Sequence, residues 1–475
     1  MREDFEVKIV RVLVFLVMCI VLTMPAQAVV KPDALFSDGA VLQQGISVPV
    51  WGTAANGEKV TVKFLNQTVS TKAEDSRWMV HLKPLKAGGP YTMTISGENT
   101  VEVKNILIGE VWICSGQSNM EFQLRYAANA EPAIASSKDS QIRLFKVPKR
   151  ATADPKYDVD AAWNECGSGT VNEFSAVGYF FGRGLRRQLN VPIGLIETSW
   201  GGTPAQAWTS MACLQANPVT KPMIDEHAPK DEDPKSCTAL YNGMVVALQP
   251  YAIKGVIWYQ GETNAADAFR YKTLFPVMID CWRKAWSQGN FPFLFVQLAP
   301  FGKLNTEPVD SHWAELREAQ RLTAESVPNT AMAVITDYGN PDNIHPKWKE
   351  PVGDRLAAAA LAKVYGRDVP YQGPSFKSME VFGNRVVLSF DNVTGGLEAR
   401  GGELTGWTIA GDDHKFVNAH ASIVGDMVVV SSPDVAHPSV VRYGWSDAPV
   451  VNLFNKVGFP ASPFSTTDLP WTTKK

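Results

Sequence analysis

Between residues 106 and 365, short apolar runs alternate with longer segments of helical periodicity. No other feature constrains the fold of this chain as much. The runs at 108–114, 194–198, 255–259, 293–298 and 331–336 read as strands. Apolar spacing predicts helices at 177–189, 271–286, 313–326 and 352–365. Strands joined through helices lie parallel in one sheet, with the helices covering both faces. The expectation is therefore an α/β core around a five-stranded parallel sheet. Ligands of such sheets bind outside the carboxyl ends of the strands.

The flanks read differently. From residue 29 to about 105, short alternating strands such as Val48-Pro49-Val50-Trp51-Gly52 and Lys59-Val60-Thr61-Val62 are separated by Gly, Pro and Asn turns. This pattern predicts a small β-sandwich. From about 366 onward β-type alternation returns, as in Arg385-Val386-Val387-Leu388-Ser389-Phe390 and Met427-Val428-Val429-Val430. A chain of 475 residues suits two or three such units. The expected division is 29–105, 106–365 and 366–475.

Residues 1–28 read as an export signal. An apolar stretch at 12–24 follows Lys8 and Arg11 and precedes the small-residue site Ala26-Gln27-Ala28. Glu3, Asp4 and Glu6 are unusual in such a leader. The mature chain then starts near Val29, in the periplasm or outside the cell, and no later run is long and apolar enough to span a bilayer. A net charge of −3 without a basic stripe gives no footprint for nucleic acid. Five cysteines follow the leader: Cys114, Cys166, Cys213, Cys237 and Cys281. Cys213 and Cys237 bracket a polar loop and either pair or stay free. No Cys or His spacing resembles a zinc site. The 14 tryptophans are mostly core, with sugar stacking as the functional alternative.

Each segment with chemical character falls just after one of the expected strands. Ser118 lies in Ser115-Gly116-Gln117-Ser118-Asn119-Met120, after the first. A serine on a tight turn at a strand end can present its hydroxyl at the rim of a sheet. It then needs a base, an orienting acid and an oxyanion site. Asp342-Asn343-Ile344-His345 supplies an acid and a base from one turn. Trp200-Gly201-Gly202-Thr203 is either an N–H donor site for a substrate oxygen or a plain turn. Trp258-Tyr259-Gln260-Gly261-Glu262-Thr263-Asn264 carries side-chain amides able to donate to an oxyanion. Glu262 braces a neighbour or meets a substrate hydroxyl. The Pro-, Lys- and Asp-rich stretch 217–236 reads as a solvated loop, or else as a lid over the site.

Gly116-Gln117-Ser118-Asn119-Met120, Trp200-Gly201-Gly202-Thr203, Trp258-Tyr259-Gln260-Gly261-Glu262 and Asp342-Asn343-Ile344-His345-Pro346, in that order, resemble the four blocks of the sialate O-acetylesterase branch of the SGNH hydrolases. Leu35-Phe36-Ser37-Asp38-Gly39-Ala40, Val441-Arg442-Tyr443-Gly444-Trp445 and Phe459-Pro460-Ala461-Ser462-Pro463-Phe464 resemble its two ends, so the likeness covers nearly the whole mature chain. The resemblance implies a flavodoxin-like three-layer core and a secreted serine O-acetylesterase acting on an O-acetylated carbohydrate, without metal or cofactor. It implies Ser118 as nucleophile, His345 as base and Asp342 as orienting acid. The oxyanion donors it implies are Ser118 N–H, Gly202 N–H (or Gly201) and the Gln260 side chain. Thr263 stands where general SGNH enzymes carry asparagine, and the branch it resembles uses the glutamine before the glycine, so Gln260 is the expected donor and Asn264 the alternative. Trp200, Trp258, Tyr259 and Glu262 are the expected sugar contacts, and loops 121–131 and 217–236 the expected determinants of which sugar. Two rival readings are an inactive glycan-binding protein on the same fold and a lipase or thioesterase of the same superfamily.

Overall fold

The computed structural model describes residues 29–467 and 470–474; the expected export signal at 1–28 lies outside the described residues. At its centre is a large mixed sheet. Its core strands, in chain order, are β1 (Thr100–Gly116), β2 (Asp139–Lys146), β3 (Trp163–Cys166), β4 (Ile193–Ser199), β5 (Gly255–Tyr259), β6 (Phe293–Val296) and β7 (Thr330–Ala333). They lie in the order β3-β2-β4-β1-β5-β6-β7. Every neighbouring pair from β2 to β7 is parallel, and only the edge strand β3 runs antiparallel, against β2. The five expected strands are therefore adjoined by a sixth parallel strand, β2, and an antiparallel edge. β2 escaped the sequence reading because Asp139-Ser140-Gln141-Ile142-Arg143 is not an apolar run. Its Arg143 is nonetheless buried and finds partners in the Ser140 carbonyl, Asn105 and Glu165.

Strand side chains alternate between two cores, as a period of two requires. Trp112 and Cys114 of β1, with Ile257 and Tyr259 of β5, face helices α2 (Ala176–Leu189) and α5 (Glu350–Lys363). Val111, Ile113, Val256 and Trp258 face the other way, toward α3 (Ala268–Trp286) and α4 (His312–Ser326). The helix starts follow local chemistry. Ser175 Oγ accepts from Gly178 N at 3.0 Å, and Ser311 Oγ from Ala314 N at 3.0 Å, each satisfying a free first-turn donor.

β1 extends beyond the core. Its first half pairs with the strands Val41–Gln43 and Gly88–Ser96, so the N-terminal β segment is continuous with the central sheet. The expected boundary at 105/106 falls inside one unbroken strand. A separate three-stranded sheet, Lys31–Pro32, Val48–Thr53 and Arg77–Leu82, packs beside it. Toward the C-terminus, four-, four- and two-stranded antiparallel sheets enclose a third core of Val386, Leu388, Trp407, Val430, Tyr443 and Phe464. Among the described residues, no helix is long and apolar enough to cross a membrane.

Candidate active site

The carboxyl ends of β1, β4 and β5 converge at one rim of the sheet, and the loop before α5 reaches over them. β1 ends at Gly116, whose φ is +137°; a Cβ there would lie 2.2 Å from the Tyr259 carbonyl oxygen of β5. Only glycine fits this turn. Gln117 N donates to the same carbonyl at 3.0 Å, and Gln117 Oε1 accepts from Gly261 N and Thr263 N. The chain then enters the short helix α1 (Ser118–Glu121), with Ser118 half-buried at its start.

His345 comes from the loop before α5, where Asn343 Oδ1 accepts from the His345 backbone N–H at 2.9 Å. Its Nε2 lies 2.8 Å from Ser118 Oγ, a hydrogen bond between residues 227 positions apart. Partial burial, and then the positive charge of Lys349, hold the imidazole below its ordinary value of 6.5. A ring kept neutral near pH 7 can accept the serine proton. Asp342 is brought to the same loop, but its exposed carboxylate makes no bond to the ring. Of the expected three, the structure joins Ser118 and His345 and leaves Asp342 apart.

The expected oxyanion donors separate in the same way. Gly201 lies against Ser118, its hypothetical Cβ 3.1 Å from Ser118 Cβ, but its N–H donates to Glu121 Oε2 at 2.7 Å. That hydrogen is already committed, whereas the N–H groups of Ser118 and Gly202 donate to no acceptor among the described residues. Gly202 has φ +74° with open space around it. Gln260 is fully buried: its Nε2 donates to Thr203 O and Asn264 Oδ1, and its Oε1 accepts from Tyr271. Both amide hydrogens are used, so Gln260 has none to give an oxyanion in this arrangement. Asn264 Nδ2 spends one hydrogen on Gln206 Oε1 and retains the other.

The expected sugar contacts need correction too. Trp258 is fully buried and packs edge-on against Trp208 and Trp282. Tyr259 is fully buried in the opposite core. A strand in the middle of a sheet covered on both faces has no free side chain along its length. Trp200 is half-buried beside the site, with Lys149 Nζ 5.4 Å from its ring centre. Glu262 is half-buried as a residue, but its carboxylate turns inward: Oε1 accepts from Asn119 at 2.6 Å and Oε2 is buried without a hydrogen-bond partner among the described residues. Burial raises its pKa.

Sequence reasoning missed Asn119, Glu121 and Lys349. Lys349 is fully buried, and burial, opposed by Glu262, pushes its pKa down to about 7. Nothing in the sequence distinguishes it from the neighbouring Lys347, which is exposed. The five described cysteines are all free. The Cys237 thiol donates to the Met223 carbonyl rather than meeting Cys213, which faces Cys281. Among the described residues no cluster of His, Cys, Asp and Glu could hold a metal ion.

A serine hydroxyl bonded to an imidazole at the carboxyl rim of such a sheet has the geometry a nucleophile and its base require, and comparison with known proteins places this chain among the carbohydrate esterases. It belongs to the family of sialic acid-specific acetylesterases, whose model matches residues 108–362. The sialate O-acetylesterase of Rattus norvegicus is 32% identical over 403 residues, covering 72% of this chain and 74% of that protein. The Homo sapiens sialate O-acetylesterase is 31% identical over 460 residues, 87% of each. A crystal structure of a carbohydrate acetylesterase from Xanthomonas citri superposes with a TM-score of 0.85 at 40% identity, covering 93% of this chain and all of that one.

Proposed function

We propose that the chain is a secreted serine O-acetylesterase that removes acetyl groups from the hydroxyls of sugars, sialic acid or other O-acetylated glycans. The observation that carries this is the 2.8 Å contact between Ser118 Oγ and His345 Nε2 in a member of this family. Ser118 Oγ attacks the acetyl carbonyl carbon as its proton passes to His345 Nε2. The carbonyl oxygen becomes an oxyanion held by Ser118 N–H and Gly202 N–H, with the spare hydrogen of Asn264 as third donor in place of Gln260. The carbon–oxygen bond to the sugar breaks, and the leaving oxygen takes the proton from the imidazolium. Water, deprotonated by His345, then attacks the acetyl-serine; acetate leaves and Oγ regains its proton. None of these steps calls for a metal or cofactor.

Asp342 is assigned the orienting role because it shares the His345 turn and its carboxylate has no other partner among the described residues. Catalytic hydrogen bonds of unliganded sites often form only once substrate is bound. For the sugar, three aromatics replace the buried pair. Trp200 lies beside Gly201. Tyr126 and Trp348, 56% and 50% exposed, stand on loops joined by the Ala128 N–Lys347 O bond of 2.8 Å. Large rings left in water next to a reactive serine suit the apolar face of a pyranose. We read the flanking segments, 29–105 and 366–475, as accessory β units around an SGNH-type core at 106–365, and residues 1–28 as the export signal.

The test is acetate release by the purified mature chain from an O-acetylated sialoglycan, an O-acetylated plant polysaccharide and a small aryl acetate. Release that disappears in Ser118→Ala supports the reading, and the ranking of substrates names the glycan. A folded chain that releases acetate from none of them would instead be a glycan-binding protein.

A further inference from the structure

Three segments far apart in the chain build this site: the turn after β1, the turn after β5 and the loop before α5. They meet at Asn119, the residue after Ser118, which is 1% exposed. Its Nδ2 donates to Glu262 Oε1 at 2.6 Å and to the Ile344 carbonyl at 2.9 Å, and its Oδ1 accepts from Lys349 Nζ. Two hydrogens and one carbonyl are thus fully engaged, so the amide has a single orientation. Ile344 directly precedes His345, so the amide links the chain neighbour of the serine to that of the histidine. Lys349 directly precedes α5, its ammonium between the faces of Phe122 (4.8 Å) and Tyr259 (5.2 Å). It contacts neither Ser118 nor His345. A fully buried ammonium is costly unless fixed partners compensate it. Here the compensation is an amide oxygen, two ring faces and the inward carboxylate of Glu262 across Asn119.

We propose that Asn119, Lys349 and Glu262 form a buried clamp that holds the Ser118 turn and the His345 loop in reacting register, all three acting as positioning residues for the reaction. This rests on the reading of Ser118 and His345 as nucleophile and base. The Oγ–Nε2 contact depends on two backbones that no strand pairing joins, and the Asn119–Ile344 bond fixes their separation one residue away from each. The Lys349 cation also acts on His345 through space and favours the neutral ring. Around that ring, Asp342 is exposed on its own loop, and the Glu121–Lys149 pair flanks the serine side.

The experiment compares wild type, Ser118→Ala, Asn119→Leu and the paired variant Glu262→Gln/Lys349→Met on an aryl acetate across pH. Active sites are counted by titration with a fluorophosphonate. The paired variant removes both buried charges together, so it keeps the proposal testable if Asn119→Leu does not fold. Expected is a fall of about 10–100-fold in kcat per titrated site, the scale of a small misplacement of reacting groups. KM should stay within about threefold, since the clamp touches no substrate. In the paired variant the acid limb of kcat/KM should move to higher pH, because Lys349, and not Glu262, is the charge that lowers the His345 pKa. If kcat per site and the acid limb both stay at wild-type values while only the melting temperature falls, the clamp is merely structural and the proposal is overturned. If Ser118→Ala itself remains active, the nucleophile is misassigned and the clamp falls with it. An inactive Ser118→Ala beside an unchanged paired variant would remove the clamp alone.

Discussion

At Ser118 and His345 the chemistry depends on which proton sits where. The base role proposed for His345 requires a neutral ring, and its pKa is lowered from 6.5 by burial and by Lys349. Raising the pH through a lowered pKa frees the base early, so kcat/KM should reach its plateau with an acid limb below pH 6.5. A limb above pH 7 would contradict this environment. Asp342 gives a second test. If its carboxylate orients the ring during the reaction, Asp342→Asn should cost up to about 10⁴-fold in kcat, the cost of a wrong tautomer in a serine triad. A loss of less than about threefold would make the site a Ser–His pair. At this scale the juxtaposition was readable in two short motifs, one following β1 at Ser118 and one on the loop before α5 at His345. It was not readable where the outcome turns on hydrogens already spent. Gln260 and Asn264 are both amides after β5, and only their partners separate the committed one from the one with a hydrogen left.

Among elements, apolar runs followed by helical periodicity announced β1, β4, β5, β6 and β7, because strands covered on both faces must be apolar throughout. The same logic should have withdrawn Trp258 and Tyr259 from the sugar: they lie inside β5, and both faces of β5 are covered. β2 was hidden by polar residues near the sheet edge. Irregular segments carry what periodicity does not encode, and here the Ala128 N–Lys347 O bond holds together the segments of Tyr126 and Trp348. Stacking of a sugar on such a ring contributes about 1 kcal/mol. Trp348→Ala should therefore reduce the ratio of kcat/KM on an O-acetylated glycan to that on an aryl acetate by roughly five- to tenfold. An unchanged ratio would place the sugar elsewhere.

The whole molecule has three cores, one on each face of the central sheet and one in the C-terminal β segment, and buried polar side chains bridge the last to the sheet. Arg317 of α4 is fully buried, and burial lowers its pKa to about 9. It donates to Leu298 O within the central unit and to Ser446 O and Asp447 O of the C-terminal segment. Arg317→Ala takes the side-chain donor from the Leu298 and Ser446 carbonyls, while Asp447 O keeps only Phe301 N–H, and should lower stability by roughly 3 kcal/mol, seen as an earlier midpoint in urea. An unchanged midpoint would mean the two segments are not coupled through this residue. The order of units was legible from the change in periodicity near residues 106 and 366, but the continuity of β1 across the first boundary was not, since an alternating run and an apolar run can belong to one strand. If Ser118 is a nucleophile activated by His345, a fluorophosphonate should modify it. Intact-protein and peptide mass spectrometry should then find one adduct per chain, on Ser118, formed far more slowly in His345→Ala and absent in Ser118→Ala. An active esterase that carries no adduct on Ser118, or carries it on another residue, would contradict that assignment.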